Sequence, residues 1–268
     1  MRKLDIENIK KIELQILFNF DAFCKAKNLK YYLAGGTLLG SIRHKGFIPW
    51  DDDIDVCMPR KDYLKFVKSF DGYDAHLKVH SNLKGNFGAP FAKIVDTRTR
   101  IDSKYVQNDI DTHLWIDVFP VDGLPENIAD VEKIYQRCNF YRRLLLLTDA
   151  KLGEGTTAFH KYSKYLLKPL ARIYGKQRCI DNIEKIAEQY PYESAEYAGI
   201  ITWGLYGAGE RMLKSEFEQA VEVEFEGHKF PAFSCWDSYL KGLYGNYMQL
   251  PPVEKRRTHD MTAYLIEK

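Results

Sequence analysis

No apolar run in this 268-residue chain approaches the roughly 18 residues that a membrane-spanning helix needs, so a bilayer-embedded protein is not expected. The opening MRKLDIENIKKIELQILF mixes acids and bases throughout, unlike a secretory signal. Cysteine is sparse. Cys24, Cys57, Cys138, Cys179 and Cys235 are odd in number and scattered, which excludes both zinc spacing and a disulfide framework. Reduced thiols in the cytoplasm are the simplest reading. Excess charge is lacking too: a net +2 argues against a strongly basic nucleic-acid binder, and no nucleic-acid partner is expected. There is no internal repeat and no low-complexity segment. With 45% hydrophobic and 28% charged residues, the chain reads as a globular protein of one large or two small domains.

What the chain has in excess is local acid. Asp51, Asp52, Asp53 and Asp55 fall in the stretch Trp50–Val56. Like charges this close raise one another's pKa and resist joint ionisation unless a cation neutralises them. Carboxylate oxygens are what the hard ions Mg²⁺ and Mn²⁺ prefer. The competing reading is a solvated acidic turn. Ile54 and Val56 alternate with Asp53 and Asp55, however, as on a strand entering a core with both carboxylates on one face.

Around this stretch, apolar spacing predicts a helix over 4–27, a short strand Tyr31–Ala34, and a helix Leu38–His44 capped by Thr37 and stopped at Gly46. Another helix is predicted over 60–70. Phe91–Ile101 reads as a strand pair or turn, and Leu114–Phe119 as a short strand with one acid inside. Helical patterning dominates from about 126 to 220, with breaks near Gly153–Thr157 and Gly175. Val221, Val223 and Phe225 alternate with glutamates before Gly227, as in a hairpin strand, and Trp236–Tyr244 reads as a last helix. The tail from Gly245 is rich in proline and basic residues.

Three pieces of this layout belong together. Gly35 and Gly36 open a helix directly after a strand, where a phosphate can approach backbone N–H groups, although a glycine pair also makes a plain tight turn. Asp53 and Asp55 lie two residues apart on one strand. Asp117, in Trp115–Phe119, is a single acid between apolar neighbours, costly to bury unless paired or metal-bound. Adjacent strands lie ~4.8 Å apart, so Asp117 beside Asp53 and Asp55 would complete a three-carboxylate cluster.

This pattern resembles the nucleotidyltransferase fold. The run AGGTLLGSIRHKGFIPWDDDIDV resembles the signature of the LicD family, phosphocholine transferases of bacterial cell-surface polysaccharides, and WIDVFPVDGLP and YGNYMQLPPVEKRRTH are similar to further segments of it. The resemblance covers roughly residues 5–125 and 222–260; the signature is shared with relatives that transfer ribitol phosphate. It implies an α/β (α+β) fold with a mixed sheet, flanking helices and a helical extension. The expected regions are a catalytic core at 1–125, a mainly helical region at 126–220, and a hairpin, helix and basic tail at 221–268 packing back on the core. It also implies that Asp53 and Asp55 are the metal-binding pair and Asp117 the third acid, with Asp51 one pleat further out as an added ligand and Asp52 on the other face. Gly35, Gly36 and Thr37 match the phosphate turn. Arg43, His44 and Lys93 are cations placed to meet a diphosphate, and Lys255, Arg256 and His259 match the basic tail; each is also readable as a surface charge.

The implied chemistry is Mg²⁺- or Mn²⁺-dependent transfer of a phosphoalcohol from a CDP-activated donor such as CDP-choline to a glycan hydroxyl, with release of CMP. Asp117 is the first candidate for general base, and Trp50, Trp115, Trp203, Tyr206 and Tyr247 are available to a quaternary ammonium. A calcium loop fails, because Val56 stands where an EF-hand turn needs glycine. A DxD glycosyltransferase using a nucleotide sugar also fits Asp53-x-Asp55; the Gly-Gly turn and Asp117 favour the first reading. Finally, 161–178 sets six cations beside tyrosines and leucines with no acid, a segment suited to peripheral contact with the inner face of a membrane and a lipid-linked acceptor. Pro169 argues against one unbroken helix there.

Overall fold

The computed structural model describes residues 1–71, 73–103, 112–153, 158–256 and 261–266. It opens with strand β1 (Arg2–Lys3) and helix α1 (Ile6–Lys27). The Asn8 amide donates to Asp5 Oδ1 at 2.8 Å to cap α1, and Asn28, at φ +51°, ends it. Next come β2 (Tyr32–Leu33), α2 (Gly35–His44), β3 (Asp55–Pro59), α3 (Arg60–Ser69), β4 (Leu77–Ser81), β5 (Ala92–Asp96), β6 (Thr99–Ser103) and β7 (Leu114–Leu124). Three helices follow, α4 (Ile128–Asp149), α5 (Ala158–Tyr174) and α6 (Lys176–Ala187). The chain then returns through β8 (Tyr197–Gly199), β9 (Met212–Leu213) and α7 (Lys214–Phe217). The hairpin β10 (Ala220–Phe225) and β11 (His228–Phe233), helix α8 (Trp236–Tyr244) and strand β12 (Met261–Leu265) complete it.

The central sheet runs β2-β3-β7-β5-β4, and β8 pairs the far end of β7. Among the described residues β3 and β7 pair in parallel and their neighbours run antiparallel, so the fold is mixed α/β. The main core joins α1, α2, α3, α8 and the hairpin to this sheet through Phe20, Tyr32, Val56, Phe66, Val118 and Phe233. A second cluster lies between α4, α6 and the end of β7, with Leu124, Tyr135, Ile183 and Ile201. Arg60 ties the two together: its Nε and Nη2 donate to Asp122 at 2.7 and 2.6 Å, and its Nη1 to Glu184 at 2.8 Å. Among the described residues no helix is long and apolar enough to cross a membrane.

Several local expectations need correction. Helix α2 starts at Gly35, with Ala34 as its N-cap, so Thr37 does not cap it. The strand carrying the acids begins only at Asp55; the amide of Asp51 instead closes a turn onto the Ile48 carbonyl at 2.9 Å. Strand β7 runs on through Pro120 to Leu124 rather than stopping at Phe119. Proline is tolerated there because position 120 falls between the last β5 pair, at Val118, and the first β8 pair, at Asp122. Strands β5 and β6 are consecutive but join different sheets, the latter pairing β12. The run of long helices ends at Ala187, and among the described residues 188–219 holds two short strands, a 3₁₀ turn and one turn of α-helix. Helix α5 runs unbroken through Pro169. The missing proline N–H would have met the carbonyl of Tyr165, so one hydrogen bond of the helix is forgone there. The segment 161–178 is nonetheless two helices, because Gly175 at φ +100° separates α5 from α6.

Candidate active site

Register builds the site. Asp55 on β3 lies directly opposite Asp117 on β7, and Asp117 directly opposite Lys93 on β5. Opposed residues share a sheet face, so these three side chains form one row across three strands. Asp53 joins from the segment entering β3, where the Asp117 amide donates to the Ile54 carbonyl at 2.8 Å. Asp53, Asp55 and Asp117 each present a carboxylate oxygen, and these atoms all lie within 4.8 Å of one another. Three clustered carboxylate oxygens are the donor type that a hard divalent cation takes. Burial pushes the Asp55 pKa well up, and the charges of Asp53 and Asp117 push it further.

Helix α2 delivers its N-terminus against these acids. The Asp55 amide donates to Thr37 Oγ1 at 2.8 Å, and the Ala34 amide to the Asp55 carbonyl at 3.0 Å. Gly35 has φ +51°, and a Cβ there would stand 2.7 Å from Asp55 Oδ2; one on Gly36 would stand 2.8 Å from Asp51 Oδ2. The glycine pair thus lets two carboxylates approach the positive end of a helix. Thr37 is buried, and its hydroxyl oxygen accepts from the β3 backbone at Asp55.

The triad opens into a cavity of about 230 Å³ lined by Gly35, Trp203, Tyr206, Tyr239, Tyr244 and Glu210, among others. A second cavity, about 620 Å³, shares Tyr206 and Tyr244 with it and is lined by Gly36, Arg43, Trp50, Asp51, Tyr247 and the segment 249–252. Asp51, expected as a further metal ligand, falls in this second cavity and outside the three-acid set, since no strand alternation governs 51–54. Arg43 also lies here, donating from Nη1 to the Tyr247 carbonyl at 2.6 Å and from Nε to His44 Nε2 at 2.9 Å. Partial burial and the Arg43 charge hold the His44 pKa below its ordinary value. Arg256 stacks its guanidinium 4.5 Å from the Trp50 ring centre, at the same cavity. Lys93 is buried, with Nζ 3.7 Å from the Trp115 ring centre and 3.8 Å from Asp117 Oδ1. It attends the triad rather than the surface. Lys255 ends a short 3₁₀ turn, and His259 lies outside the described residues.

Two acids at the site escape sequence reasoning. Glu210 is buried in the triad cavity, and burial pushes its pKa up to about 7 despite the Tyr206 amide donating to it. Its irregular surroundings carry no periodic signal. Glu13 is buried on α1; burial, then the charges of Asp53 and Asp52, raise its pKa well above the ordinary glutamate value. Here a signal existed: Glu13 occupies a position four after Ile9 and three before Ile16, both buried, so it falls on the apolar face of α1.

The family model described as "LicD/FKTN/FKRP, nucleotidyltransferase domain" matches residues 28–174, more than half of the chain. "Lipopolysaccharide cholinephosphotransferase LicD" of Haemophilus influenzae is 32% identical over 275 residues, covering 99% of this chain and all of the relative. Two eukaryotic relatives match over shorter spans. Human "Ribitol 5-phosphate transferase FKRP" is 31% identical over 36% of this chain and 17% of its own length. Yeast "Mannosyltransferase regulator 4" is 31% identical over 37% of this chain and 9% of its own. The match to the LicD protein runs from end to end, and the family model spans the glycine pair, the acid-rich segment and β7, so this chain belongs to the LicD family.

Proposed function

We propose that this protein transfers phosphocholine from CDP-choline to a sugar hydroxyl of a cell-surface polysaccharide or teichoic acid precursor, releasing CMP. The carrying observation is the convergence of Asp53, Asp55 and Asp117 in a tyrosine-lined cavity, in a chain similar throughout to a cholinephosphotransferase. These three residues would hold Mg²⁺ or Mn²⁺, which when bound offsets the charge of a diphosphate and of the departing nucleotide. The aromatic faces of Trp203, Tyr206, Tyr239 and Tyr244 suit a quaternary ammonium, which donates no hydrogen bond. The larger cavity, with Arg43 and Trp50, offers a cation and a stacking surface to the nucleoside half of the donor.

The acceptor hydroxyl must lose a proton as it attacks. Asp117 already has a cationic partner, with Lys93 Nζ 3.8 Å from its Oδ1, and a place in the three-acid set. Glu210, with a pKa near 7 in the same cavity, is the better proton acceptor at neutral pH. Five free and buried cysteines suit a reducing cytoplasm, where a lipid-linked glycan precursor would be met at the membrane. Release of CMP from CDP-choline, CDP-ribitol and UDP- or GDP-sugars, each with a panel of glycan acceptors, tests the reading. Acceptor-dependent CMP release from CDP-choline is expected; preference for a nucleotide sugar would refute it.

A further inference from the structure

Helix α5 is packed inside out. Its inward positions include Lys168 and Ala171, and Lys168 Nζ donates to the Ala150 carbonyl at 2.6 Å, past the end of α4. Arg172 Nε reaches the Thr148 carbonyl at 3.4 Å. The helix is thus held partly by cations serving the free carbonyls at the end of α4, which is where such charges are favoured. Tyr174, at its end, packs on Tyr141, but most of its described large apolar side chains point the other way. Tyr162, Tyr165, Leu166, Leu170 and Ile173 recur at helical spacing and are 55–80% exposed, Ile173 the most at 80%. An ordinary surface helix puts that stripe against the core. A contiguous exposed apolar face of this kind marks a surface built for an apolar partner.

Charge selects the partner. From residue 158 to 180 the sequence holds no Asp or Glu, while Lys161, Lys164 and Arg178 lie in the same stretch. Tyrosines and leucines amid cations, with no acid, complement a layer that is apolar inside and negative at its face. From this inverted packing of α5 and its acid-free basic flank, we infer that the outward face of α5 docks on an anionic lipid surface, its leucines and Ile173 entering the headgroup boundary and its cations meeting lipid phosphates. The inference stands apart from the transfer reaction, since it uses none of the site residues. No helix among the described residues crosses a bilayer, so this contact is peripheral.

Flotation of the full-length protein at low salt tests this, using phosphatidylglycerol–phosphatidylcholine vesicles beside vesicles of phosphatidylcholine alone. The wild-type chain is expected to rise with the anionic vesicles only and to be released by added salt. The combined variant Leu166→Ser, Leu170→Ser, Ile173→Ser, altered only at exposed positions, should keep its melting temperature and bind on the order of tenfold less or weaker. Lys164→Glu with Arg178→Glu provides a second variant that leaves the apolar stripe intact and should also lose anionic binding. Wild-type protein absent from both vesicle types would overturn the inference. So would equal flotation of the serine variant, equal binding to neutral vesicles, or a dimer in solution that the serine variant dissolves while flotation is absent.

Discussion

Asp55 and Asp117 are register partners across the parallel strand pair β3–β7, so a single β-ladder places both carboxylates on one wall of one cavity. Lys93 extends the row from the next strand. A slip of one residue between β3 and β7 would turn one acid to the opposite face. The site is therefore as well defined as the sheet that carries it.

Crowding of acids sets a cost that a metal should remove. Asp55→Asn is expected to melt higher than wild type in EDTA, because a buried and repelled carboxyl is lost. Saturating Mg²⁺ should stabilise the wild type more and erase or reverse the difference. Paired thermal scans with EDTA and with Mg²⁺ check this; a wild type indifferent to Mg²⁺ would refute a metal site.

Lys93 carries a double duty, beside Asp117 and over Trp115. Lys93→Met keeps the apolar stem and removes the charge. Donor affinity is expected to fall about tenfold to a hundredfold, the loss of a charge-assisted contact worth ~1.5–3 kcal/mol. Calorimetric titration with CDP-choline in Mg²⁺ measures it, and unchanged affinity would confine Lys93 to a packing role.

Glu210 gives a pH signature. Its pKa stands at about 7 in the folded protein against 4.5 ordinarily, so between those values the folded chain retains a proton that the unfolded chain loses. Stability therefore falls as pH rises through this window, by roughly 3 kcal/mol at ~1.4 kcal/mol per pH unit. Glu210→Gln should flatten the decline in melting temperature between pH 5 and 8. In transfer assays the wild-type rate should climb with pH through about 7, and Glu210→Gln should lose activity by about a hundredfold or more. A variant that keeps the rate and the rise would return the proton-accepting role to Asp117.

Arg60 holds two cores together through Asp122 and Glu184. Asp122→Asn leaves a buried guanidinium half-answered and is expected to cost about 3–5 kcal/mol in urea denaturation. A cost under about 1 kcal/mol would show that water serves Arg60 equally well.

How far the sequence spoke depended on whether a residue lay on a periodic element. The phase of α1, the hairpin at Val221–Phe225 and the bounds Trp236–Tyr244 follow from spacing, and the structure has them. Alternation around Asp53, Asp55 and Asp117 pointed to acids on strands, and the three do converge. It misplaced the strand start because Asp51–Ile54 precede β3, with the Asp51 amide closing a turn onto Ile48. Strands β4 and β12 went unseen: polar residues interrupt both, and their stability comes from partners far along the chain. Glu210 was illegible, because only tertiary packing brings the 3₁₀ turn at 207–210 to the triad cavity.

On the proposed function, the three-carboxylate cavity takes a CDP-activated alcohol together with a divalent ion. Calorimetric titration of CDP-choline and of UDP-glucose into the wild-type protein and Asp55→Asn, with Mg²⁺ and with EDTA, tests it most directly. Saturable CDP-choline binding to wild type in Mg²⁺ is expected, lost with EDTA and lost in Asp55→Asn, with no comparable heat from UDP-glucose. Binding of CDP-choline unaffected by EDTA and by Asp55→Asn, or tighter binding of UDP-glucose, would contradict it.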